Sequence, residues 1–408
     1  MFEDMTNIRT IARKFAIKNA LDYGKADVGI VLNKLFEDPD VRGFDINKLK
    51  EIVNNVVKEV NSLPLETVVN ESKNYIFSEK KQRLGLSDLN WVTPNVSVNT
   101  RFAPNPSGFL HIGHAKIAIL CDEYAKKYNG KFIVRFEDTD PKTKVPLLEA
   151  YDSIINDLKW LGCNISGVFK QSERLGLYYE YARKLIEAGL AYVCVCDYIT
   201  MQKNRDEGIA CNCRNFNVPI NLSNWEKMFT TFNEKDAVLR LKTDLNHQNI
   251  SVRDWVMFRI IKNEHTLQKD KYKVWPLYNF AAVIDDHDME ITLVIRGKEH
   301  EINMMKQIYL YNALGWAHPH SIEVGILKIN GEFAHKSDIN KAIKEGRLTG
   351  WDDPRAPTVN GFRNKGITPE AIREYIINSG IGKNDSFLDF KKLDAINRKV
   401  IRSYSKVK

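Results

Sequence analysis

Two histidines three residues apart, His111 and His114, stand where a loop leads into an apolar helical run of the chain. This spacing places the two imidazoles on one face of the first helical turn. A short apolar run precedes the loop, and the order of strand, turn and helix is that of a nucleotide-binding α/β unit, where unpaired N–H groups at the helix start attract phosphates. Gly113 carries no side chain, so a flat ring could lie against its backbone. The pattern predicts a nucleotide site; the alternative is an accidental pair of histidines on a helix.

A longer motif around the histidines favours the first interpretation. From Arg101 to His114 the chain reads Arg-Phe-Ala-Pro-Asn-Pro-Ser-Gly-Phe-Leu-His-Ile-Gly-His. This stretch resembles the "HIGH" signature of class I aminoacyl-tRNA synthetases, in the form found in glutamyl-tRNA synthetases of the archaeal type. The resemblance runs from about residue 8 to residue 400 and carries several ordered motifs. Ala103 and Glu137 separate the chain from glutaminyl enzymes, which typically have Pro and Asp at these two places.

An acidic run follows a short apolar strand at residues 132–136. Glu137, Asp138, Thr139 and Asp140 come at the carboxyl end of that strand, where open α/β sheets bind their ligands. These groups could bind an α-amino group and orient substrates, and the alternative is a solvated acidic turn. The same run closes the first half of the catalytic fold in the glutamyl family, which favours the functional interpretation.

The resemblance implies ATP-dependent activation of glutamate, followed by transfer to the 3′ end of tRNA. In this scheme the substrate carboxylate attacks the α-phosphate in line, and the enzyme contributes positioning and charge stabilisation. His111, His114 and Lys336 would be the catalytic groups, and Mg²⁺ would accompany the nucleotide. The residues implied to bind ATP are Pro104, Ser107, Gly108, His111, Gly113, His114, Lys336 and Ser337. Those implied to bind glutamate are Arg101, Ala103, Glu137, Tyr278 and Arg296.

Two places depart from the family pattern. Relatives commonly read Asp-Asp-His-Leu-x-Gly where this chain has Asp288 in place of the Leu and Glu290 in place of the Gly, so an altered amino-acid pocket is expected. The second family loop, Lys-Met-Ser-Lys-Ser or a relaxed version of it, corresponds here to Ala334-His335-Lys336-Ser337. Lys336 could still bind a phosphate, whereas His335 either adds a second donor or blocks closure of the loop.

Four of the six cysteines form two Cys-x-Cys pairs, Cys194 with Cys196 and Cys211 with Cys213, separated by fourteen residues. Two such pairs can supply four thiolates to Zn²⁺ in tetrahedral geometry. The alternative is two unrelated short strands that each carry thiols. A number of glutamyl-tRNA synthetases place a zinc site in the domain inserted into the catalytic fold, on the acceptor side of the tRNA. Four protein ligands leave no open coordination position, so the role of this zinc would be structural.

Composition sets the broad class of the protein. The 408 residues are enough for two or three domains with full cores. The net charge of +8 suits a nucleic-acid partner without demanding one. No apolar run approaches the ~20 residues that a membrane span needs, and the N-terminus lacks the order of a signal peptide. We therefore expect no membrane partner and a cytoplasmic protein with reduced cysteines.

The expected fold is α/β: a class I synthetase, Rossmann-like, doubly wound parallel sheet with an inserted acceptor-binding domain and a helical N-terminal module. Apolar stripes at helical spacing indicate that module, which is either a docking domain or a plain helical cap. The predicted parts are 1–90, the helical module; 91–190, the first half of the catalytic domain; 191–236, the zinc-bearing, acceptor-binding insert; 237–345, the second half; and 346–408, a C-terminal helical region.

In relatives the chain continues past the match to Asn397 and Arg398 into a β-barrel region that reads the anticodon. We therefore expect recognition of the acceptor end of tRNA, with a separate protein as a possible source of anticodon recognition. Three other functions stay open. The chain could transfer glutamate to another acceptor, or bind tRNA or a partner without catalysis. The smaller HxGH nucleotidyltransferases share the signature, but they lack the insert and the Gly-Trp-Asp-Asp-Pro block at 350–354, which disfavours this third function.

Overall fold

The computed structural model describes residues 2–37, 41, 44–75, 86–334 and 336–405. It divides the chain into two compact units, Met1–Gln82 and Arg83–Lys408, each with its own hydrophobic core. Among the described residues, no helix combines the length and the apolar content needed to cross a bilayer. His335 of the predicted lysine loop lies outside the described residues.

The N-terminal unit is helical, as its apolar stripes predict. Its helices are α1 (Phe2–Tyr23), α2 (Val28–Glu37), α3 (Ile46–Ser62) and α4 (Leu65–Ser72). The Asp45 side chain caps α3 by accepting hydrogen bonds from the backbone N–H groups of Asn47 and Lys48. Buried side chains spaced three or four residues apart on α1 and α3 form the core of this unit, among them Ile8, Ala12, Val53 and Val57.

The second unit mixes helices and strands. Its helices are α5 (Ile112–Lys127), α6 (Leu148–Trp160), α7 (Leu175–Glu187), α8 (Tyr198–Glu207), α9 (Val218–Phe229), α10 (Tyr278–Asp288), α11 (Glu301–Leu314), α12 (Lys336–Lys344), α13 (Val359–Asn364), α14 (Pro369–Ser379) and α15 (Phe390–Ser405). Its strands are β1 (Thr100–Phe102), β2 (Phe132–Phe136), β3 (Ile165–Lys170), β4 (Ala191–Cys194), β5 (Val238–Leu241), β6 (Val256–Ile260), β7 (Val274–Pro276), β8 (Leu293–Gly297), β9 (His320–Val324), β10 (Leu327–Lys328) and β11 (Ser386–Phe387).

Five strands form a parallel sheet in the order β3-β2-β1-β8-β9. The chain builds outward from β1 to β3 and then returns to β8 on the other side of β1, which is the strand order of a doubly wound sheet. β2 is buried along its whole length, as expected for a strand covered by helices on both faces. The predicted fold class is confirmed. The carboxyl ends of β1, β2 and β8 meet at one edge of the sheet, where such folds bind ligands.

A separate antiparallel sheet, in the order β4-β5-β6-β7, interrupts the parallel one between β3 and β8. The sequence analysis assigned residues from 237 onward to the second half of the catalytic domain. In the structure, however, β5 pairs with β4, and β6 and β7 extend the same antiparallel sheet. The chain rejoins the parallel sheet only at β8. Short apolar strands of the two sheets have similar sequences, and tertiary contacts determine which strand each of them pairs with. The sequence therefore does not show which sheet a given strand joins. The insert therefore ends nearer residue 276 than residue 236.

Candidate active site and cysteine cluster

The two histidines occupy the start of α5, directly after the loop that leaves β1. His111 is the N-cap residue, and its Nδ1 atom accepts a hydrogen bond of 3.1 Å from the backbone N–H of Gly113. The rings of His111 and His114 lie 6.3 Å apart. A Cβ atom on Gly113 would lie 3.2 Å from the carbonyl oxygen of Leu327. Glycine at this position thus lets the helix start approach a neighbouring backbone, a reason that the sequence alone did not indicate.

Lys336 begins α12 and reaches back to the same loop. A Cβ atom on Gly108 would lie 3.4 Å from the Cδ atom of Lys336 and 3.5 Å from the ring of Trp351, which also stacks on Phe109. Partial burial, and then the positive charge of Lys144, lower the pKa of the Lys336 ammonium to about 8. The lysine of the altered loop therefore stands beside the histidine motif, as a phosphate-binding lysine would.

A first cavity of about 530 Å³ lies beside the start of α5, where His111, Gly113, His114 and Lys336 line it together with Leu327. His114 as a whole residue is exposed beside this cavity, although protein atoms crowd around its ring. That crowding, followed by the charge of Lys336, lowers the pKa of His114 below its ordinary value. His114 is therefore neutral near pH 7 and can donate one ring N–H group to a ligand.

A second cavity of about 360 Å³ adjoins the first, with His114 and Lys336 in the shared wall. It brings together all of the residues that the resemblance implied for glutamate, and four of those implied for ATP as well. The predicted residues in its lining are Arg101, Ala103, Pro104, Ser107, His114, Glu137, Tyr278, Arg296 and Lys336.

Buried arginines give the second cavity its charge. Asp286 accepts hydrogen bonds from Arg101 Nε at 3.1 Å and from Arg135 Nη1 at 2.6 Å. Arg296 is 5% exposed and donates through Nη1 to the side chain of Gln307 at 3.0 Å. Its Nε and Nη2 atoms are buried and have no hydrogen-bond partner within the described parts of the chain. Unpaired buried donors are costly, so this guanidinium is set to receive an anion.

Glu137 supplies the opposite charge in the same cavity. Its carboxylate lies 3.4 Å from Arg135 Nη2. Burial raises the pKa of Glu137 to about 7, against the opposing effect of Arg135 and Arg101. Its backbone is fixed from the signature loop, because Asn105 donates to its carbonyl oxygen at 2.6 Å. A carboxylate in this place can bind an ammonium group.

A third cavity of about 490 Å³ continues from the second, past Glu137, Tyr278 and His300, into the insert. Burial, and then the charge of Arg205, lower the pKa of Lys306. The indole Nε1 of Trp255, a residue 4% exposed, has no hydrogen-bond partner among the described residues. The sequence analysis missed this cavity, whose cationic lining residues are Lys144, Arg205, Arg259 and Lys306.

Asp288 and Glu290, the two acids that replace Leu and Gly of the family pattern, lie away from the three cavities. Arg174 binds Asp288 at 2.5 Å, and the exposed Glu290 contributes its carbonyl oxygen to Asn99 at 3.0 Å. Neither residue lines any of the three cavities, so these two acids do not change the lining of the amino-acid pocket directly. Of the residues implied for ATP, Gly108 packs behind Lys336, and Ser337 is exposed outside the cavities.

The four cysteines of the two Cys-x-Cys pairs converge where β4 meets the short helical turn at Asn212–Asn215. Their sulfur atoms all lie within 4.8 Å of one another. Cys194 and Cys211 are 3.9 Å apart, and Cys196 and Cys213 are 3.8 Å apart. Tetrahedral Zn–S bonds of about 2.3 Å require sulfur separations near 3.8 Å. The guanidinium of Arg240 lies 3.9 Å from Cys194 Sγ, where it can balance thiolate charge, so the residues present fit zinc.

Comparisons with known proteins agree on one family. The family described as tRNA synthetases class I (E and Q), catalytic domain, matches residues 97–403. The chain is 44% identical over 406 residues to a glutamate–tRNA ligase of Pyrococcus furiosus and 46% identical over 396 residues to one of Methanocaldococcus jannaschii. These matches cover 97% and 95% of this chain, and 71% and 69% of the relatives. A crystal structure of a glutamate tRNA ligase from Elizabethkingia meningosepticum has a TM-score of 0.54 and 23% identity, over 75% of this chain and 70% of that one.

Proposed function

The chain belongs to the class I tRNA synthetases for glutamate and glutamine, and we propose that its three adjoining cavities hold the three substrates of glutamate–tRNA ligation. Its activity is that of a glutamate–tRNA ligase: glutamate is activated with ATP, which this family uses with Mg²⁺, and is then joined to tRNA. The assignment of individual residues to substrates is our proposal and rests on the cavities and their charges.

One observation carries the assignment of the amino-acid site. Arg296 keeps two buried donors that no described residue pairs with, in a cavity that also contains Arg101 and Glu137. Two guanidiniums and one carboxylate match the two carboxylates and one ammonium of glutamate. Tyr278 closes the cavity on the side of the insert. A neutral amide in place of the side-chain carboxylate would leave a buried guanidinium without its counter-charge, which disfavours glutamine.

In the activation step, an α-carboxylate oxygen of glutamate attacks the α-phosphorus of ATP while the bond to the bridging oxygen breaks and pyrophosphate leaves. His111 and His114 would face the phosphates from the start of α5, and Lys336 would stabilise the leaving pyrophosphate. Mg²⁺ would balance phosphate charge beside these residues. No side chain acts as a nucleophile, so the contribution of the enzyme is orientation and electrostatics.

The third cavity would hold the acceptor end of tRNA. Its cations come both from the insert, as with Arg205, and from the catalytic fold, as with Lys306. A terminal ribose hydroxyl placed there reaches the activated carboxyl in the second cavity, attacks its carbon and releases AMP. The described cations and the unpaired indole N–H of Trp255 suit phosphates and bases of a single strand.

We also assign a structural zinc ion to Cys194, Cys196, Cys211 and Cys213, on the sulfur separations given above. Its thiolates would tie β4 to the turn after α8 and so fix the helix that carries Arg205. Cytoplasmic location and a separate protein for anticodon recognition stay predictions.

Pyrophosphate exchange tests the proposal. The purified protein should exchange pyrophosphate into ATP with glutamate, and not with glutamine or aspartate, when assayed both with and without tRNA. Exchange with glutamine as fast as with glutamate would overturn the assignment of Arg296. Absence of exchange with any amino acid, alongside retained tRNA binding, would instead support the non-catalytic alternative.

A further inference from the structure

A loop of the insert, residues 261–273 between β6 and β7, reaches back to the catalytic fold and contacts the acidic run of the substrate cavities. We call this loop the strap. Thr266 donates through its hydroxyl to the carbonyl oxygen of Pro146 at 2.5 Å, and Leu267 packs against the main core of the catalytic fold. At its centre is His265, which is fully buried and stacks on Trp275 with ring centroids 5.1 Å apart.

The hydrogen bonds of His265 define its tautomer. Its Nδ1 atom accepts from the backbone N–H groups of Leu267 and Gln268, both at 3.1 Å. The remaining ring nitrogen, Nε2, must therefore carry the hydrogen, and it donates to the carbonyl oxygen of Asp138 at 2.7 Å. Burial lowers the pKa of His265, so the ring stays neutral in this arrangement.

Asp138 is itself held firmly within the catalytic fold. Its carboxylate accepts from the hydroxyl of Tyr151 at 2.7 Å, and from the N–H and hydroxyl of Ser172 at 2.8 and 2.7 Å. Its neighbours on either side, Glu137 and Thr139, line the third cavity, and Glu137 also lines the second. The bond from His265 thus joins the insert to the segment that forms the wall between these two cavities.

We propose that His265 is a positioning residue that keeps the third cavity aligned with the second, so that the bound acceptor meets the activated amino acid. This inference rests on the proposed function of the two cavities. Activation takes place beside Glu137, whose backbone is also held by Asn105 and by the carbonyl oxygen of Pro104. Activation should therefore tolerate loss of the strap contact, whereas transfer needs both cavities and should not.

Two substitutions at His265 distinguish the roles of the two ring nitrogens, because each removes the hydrogen bonds of one nitrogen only. His265→Asn places an amide oxygen near the position of Nδ1 and removes the donor to Asp138. His265→Gln places an amide N–H near the position of Nε2 and removes the acceptor for Leu267 and Gln268. We expect His265→Asn to lower the single-turnover transfer rate about tenfold or more, with pyrophosphate exchange within about threefold of the unmodified chain. His265→Gln should keep both rates within about threefold.

The opposite ranking, with transfer retained in His265→Asn and lost in His265→Gln, would show that the ring only shapes its own loop and would overturn the proposal. An equal loss of exchange and transfer in His265→Asn would also overturn it.

A readout without catalysis is limited trypsin cleavage at the strap lysines Lys262, Lys269 and Lys271, which are exposed. Faster cleavage in His265→Asn than in His265→Gln supports the strap contact, whether or not the unmodified chain shows exchange. Absence of exchange in the unmodified chain would count against the proposed function alone. Equal cleavage of the two variants would contradict the strap contact.

Discussion

The second cavity, which we assign to glutamate, and the cysteine cluster both bury polar groups. They differ in whether those groups have partners within the protein. In the cavity, two donors of Arg296 have no partner among the residues that the structure describes, at a cost of about 1–3 kcal/mol for each unsatisfied group. In the cluster, the four sulfurs lie within 4.8 Å of one another, and two of the pairs, at 3.9 and 3.8 Å, have the separation of a zinc tetrahedron's edge. In our proposal, a substrate that binds and leaves completes the cavity, whereas a zinc ion that stays bound completes the cluster.

The same difference separates a region that would act in catalysis from a region that would stabilise the fold. Substrate charges in the cavity can be stabilised in a transition state because the donors are already oriented. A closed four-thiolate site offers no free coordination position and stabilises the fold of the insert instead. Changes in one region should therefore leave the defining property of the other intact, and the predictions below test that separation.

The largest effect is expected from removing an imidazole beside the cavity. His114→Ala should lower kcat for pyrophosphate exchange about 10²–10³-fold, with a smaller change in KM for ATP, because the ring would donate mainly to charge that develops in the transition state. Zinc content should stay the same. His287→Ala is the matched control, since His287 is exposed and stacks on Trp316 outside the cavities. Equal exchange rates in His114→Ala and the unmodified chain would remove the start of α5 from the mechanism.

The second effect is a pH dependence of pyrophosphate exchange that arises from two groups lining the cavities. Glu137, with a pKa raised to about 7 by burial, binds an ammonium group only when ionised, so glutamate use should fall about tenfold per pH unit below pH ~7. Lys336, with a pKa lowered to about 8, should lose its phosphate contact above that pH. Exchange measured from pH 5 to pH 10 should therefore peak between the two values. Glu137→Gln should flatten the acid limb and spare the alkaline one.

Linkage gives an independent check on Glu137. Its folded-state pKa of about 7 lies above the ordinary value of 4.5, so the folded chain binds more protons than the unfolded chain between these two pH values. The contribution of this group to stability is full below pH 4.5 and is lost as pH rises toward 7. Denaturant unfolding of the unmodified chain and Glu137→Gln should differ in pH dependence within that window. Identical curves would mean that the carboxyl group is not shifted.

How far the sequence predicts these regions depends on how local their determinants are. The signature from Arg101 to His114 and the two Cys-x-Cys pairs are continuous or nearly continuous, and the structure brings their side chains together as expected. The third cavity could not be predicted in the same way. Arg205 and Lys306 come from helices about a hundred residues apart, and only the pairing of the insert with the catalytic fold makes them neighbours.

The same reasoning explains the misplaced end of the insert. Strands β5, β6 and β7 have apolar residues like those of a parallel strand, so their sequence does not show which sheet they join. The family comparison of residues 285–290 identified the two acidic substitutions, but it could not show that both side chains avoid the cavities. His265 has no neighbouring motif, and its role follows only from its contact with Asp138.

Loss of zinc should affect transfer more than activation. Cys211→Ser should release the metal and loosen α8, lowering tRNA transfer about tenfold while pyrophosphate exchange stays within about threefold. Metal analysis and both rates should be measured together. Cys163→Ser is a control thiol, because Cys163 lies in the core of the catalytic fold away from the cluster. An unmodified chain without zinc would contradict the assigned metal.

A smaller effect is expected from a single cation of the third cavity. Lys306→Ala should weaken tRNA binding roughly threefold to tenfold and reduce the slope of log affinity against log salt by about 1, because one phosphate contact is lost. Exchange should not change. Lys203→Ala, on the same helix as Arg205 but outside the cavity lining, should leave both quantities unaltered. The same loss in both variants would indicate a general effect of net charge.

The smallest effect concerns backbone strain at a position where relatives commonly have glycine. Glu290 has a φ angle of +53°, in the left-handed region that side chains with a Cβ atom rarely adopt. Its side chain is exposed and its carbonyl oxygen binds Asn99, so a glycine would keep the hydrogen bond and relieve the strain. Glu290→Gly should therefore raise the free energy of unfolding by about 1 kcal/mol, less the added entropy of the unfolded chain, without changing exchange or zinc content.

Asp254, at φ +39° and buried with its carboxylate bound to Tyr192 and Arg214, is the matched contrast. Asp254→Gly should destabilise, because there the lost hydrogen bonds outweigh the relieved strain. A stability gain in Asp254→Gly, or a loss in Glu290→Gly, would show that backbone conformation does not decide the preference at these two sites.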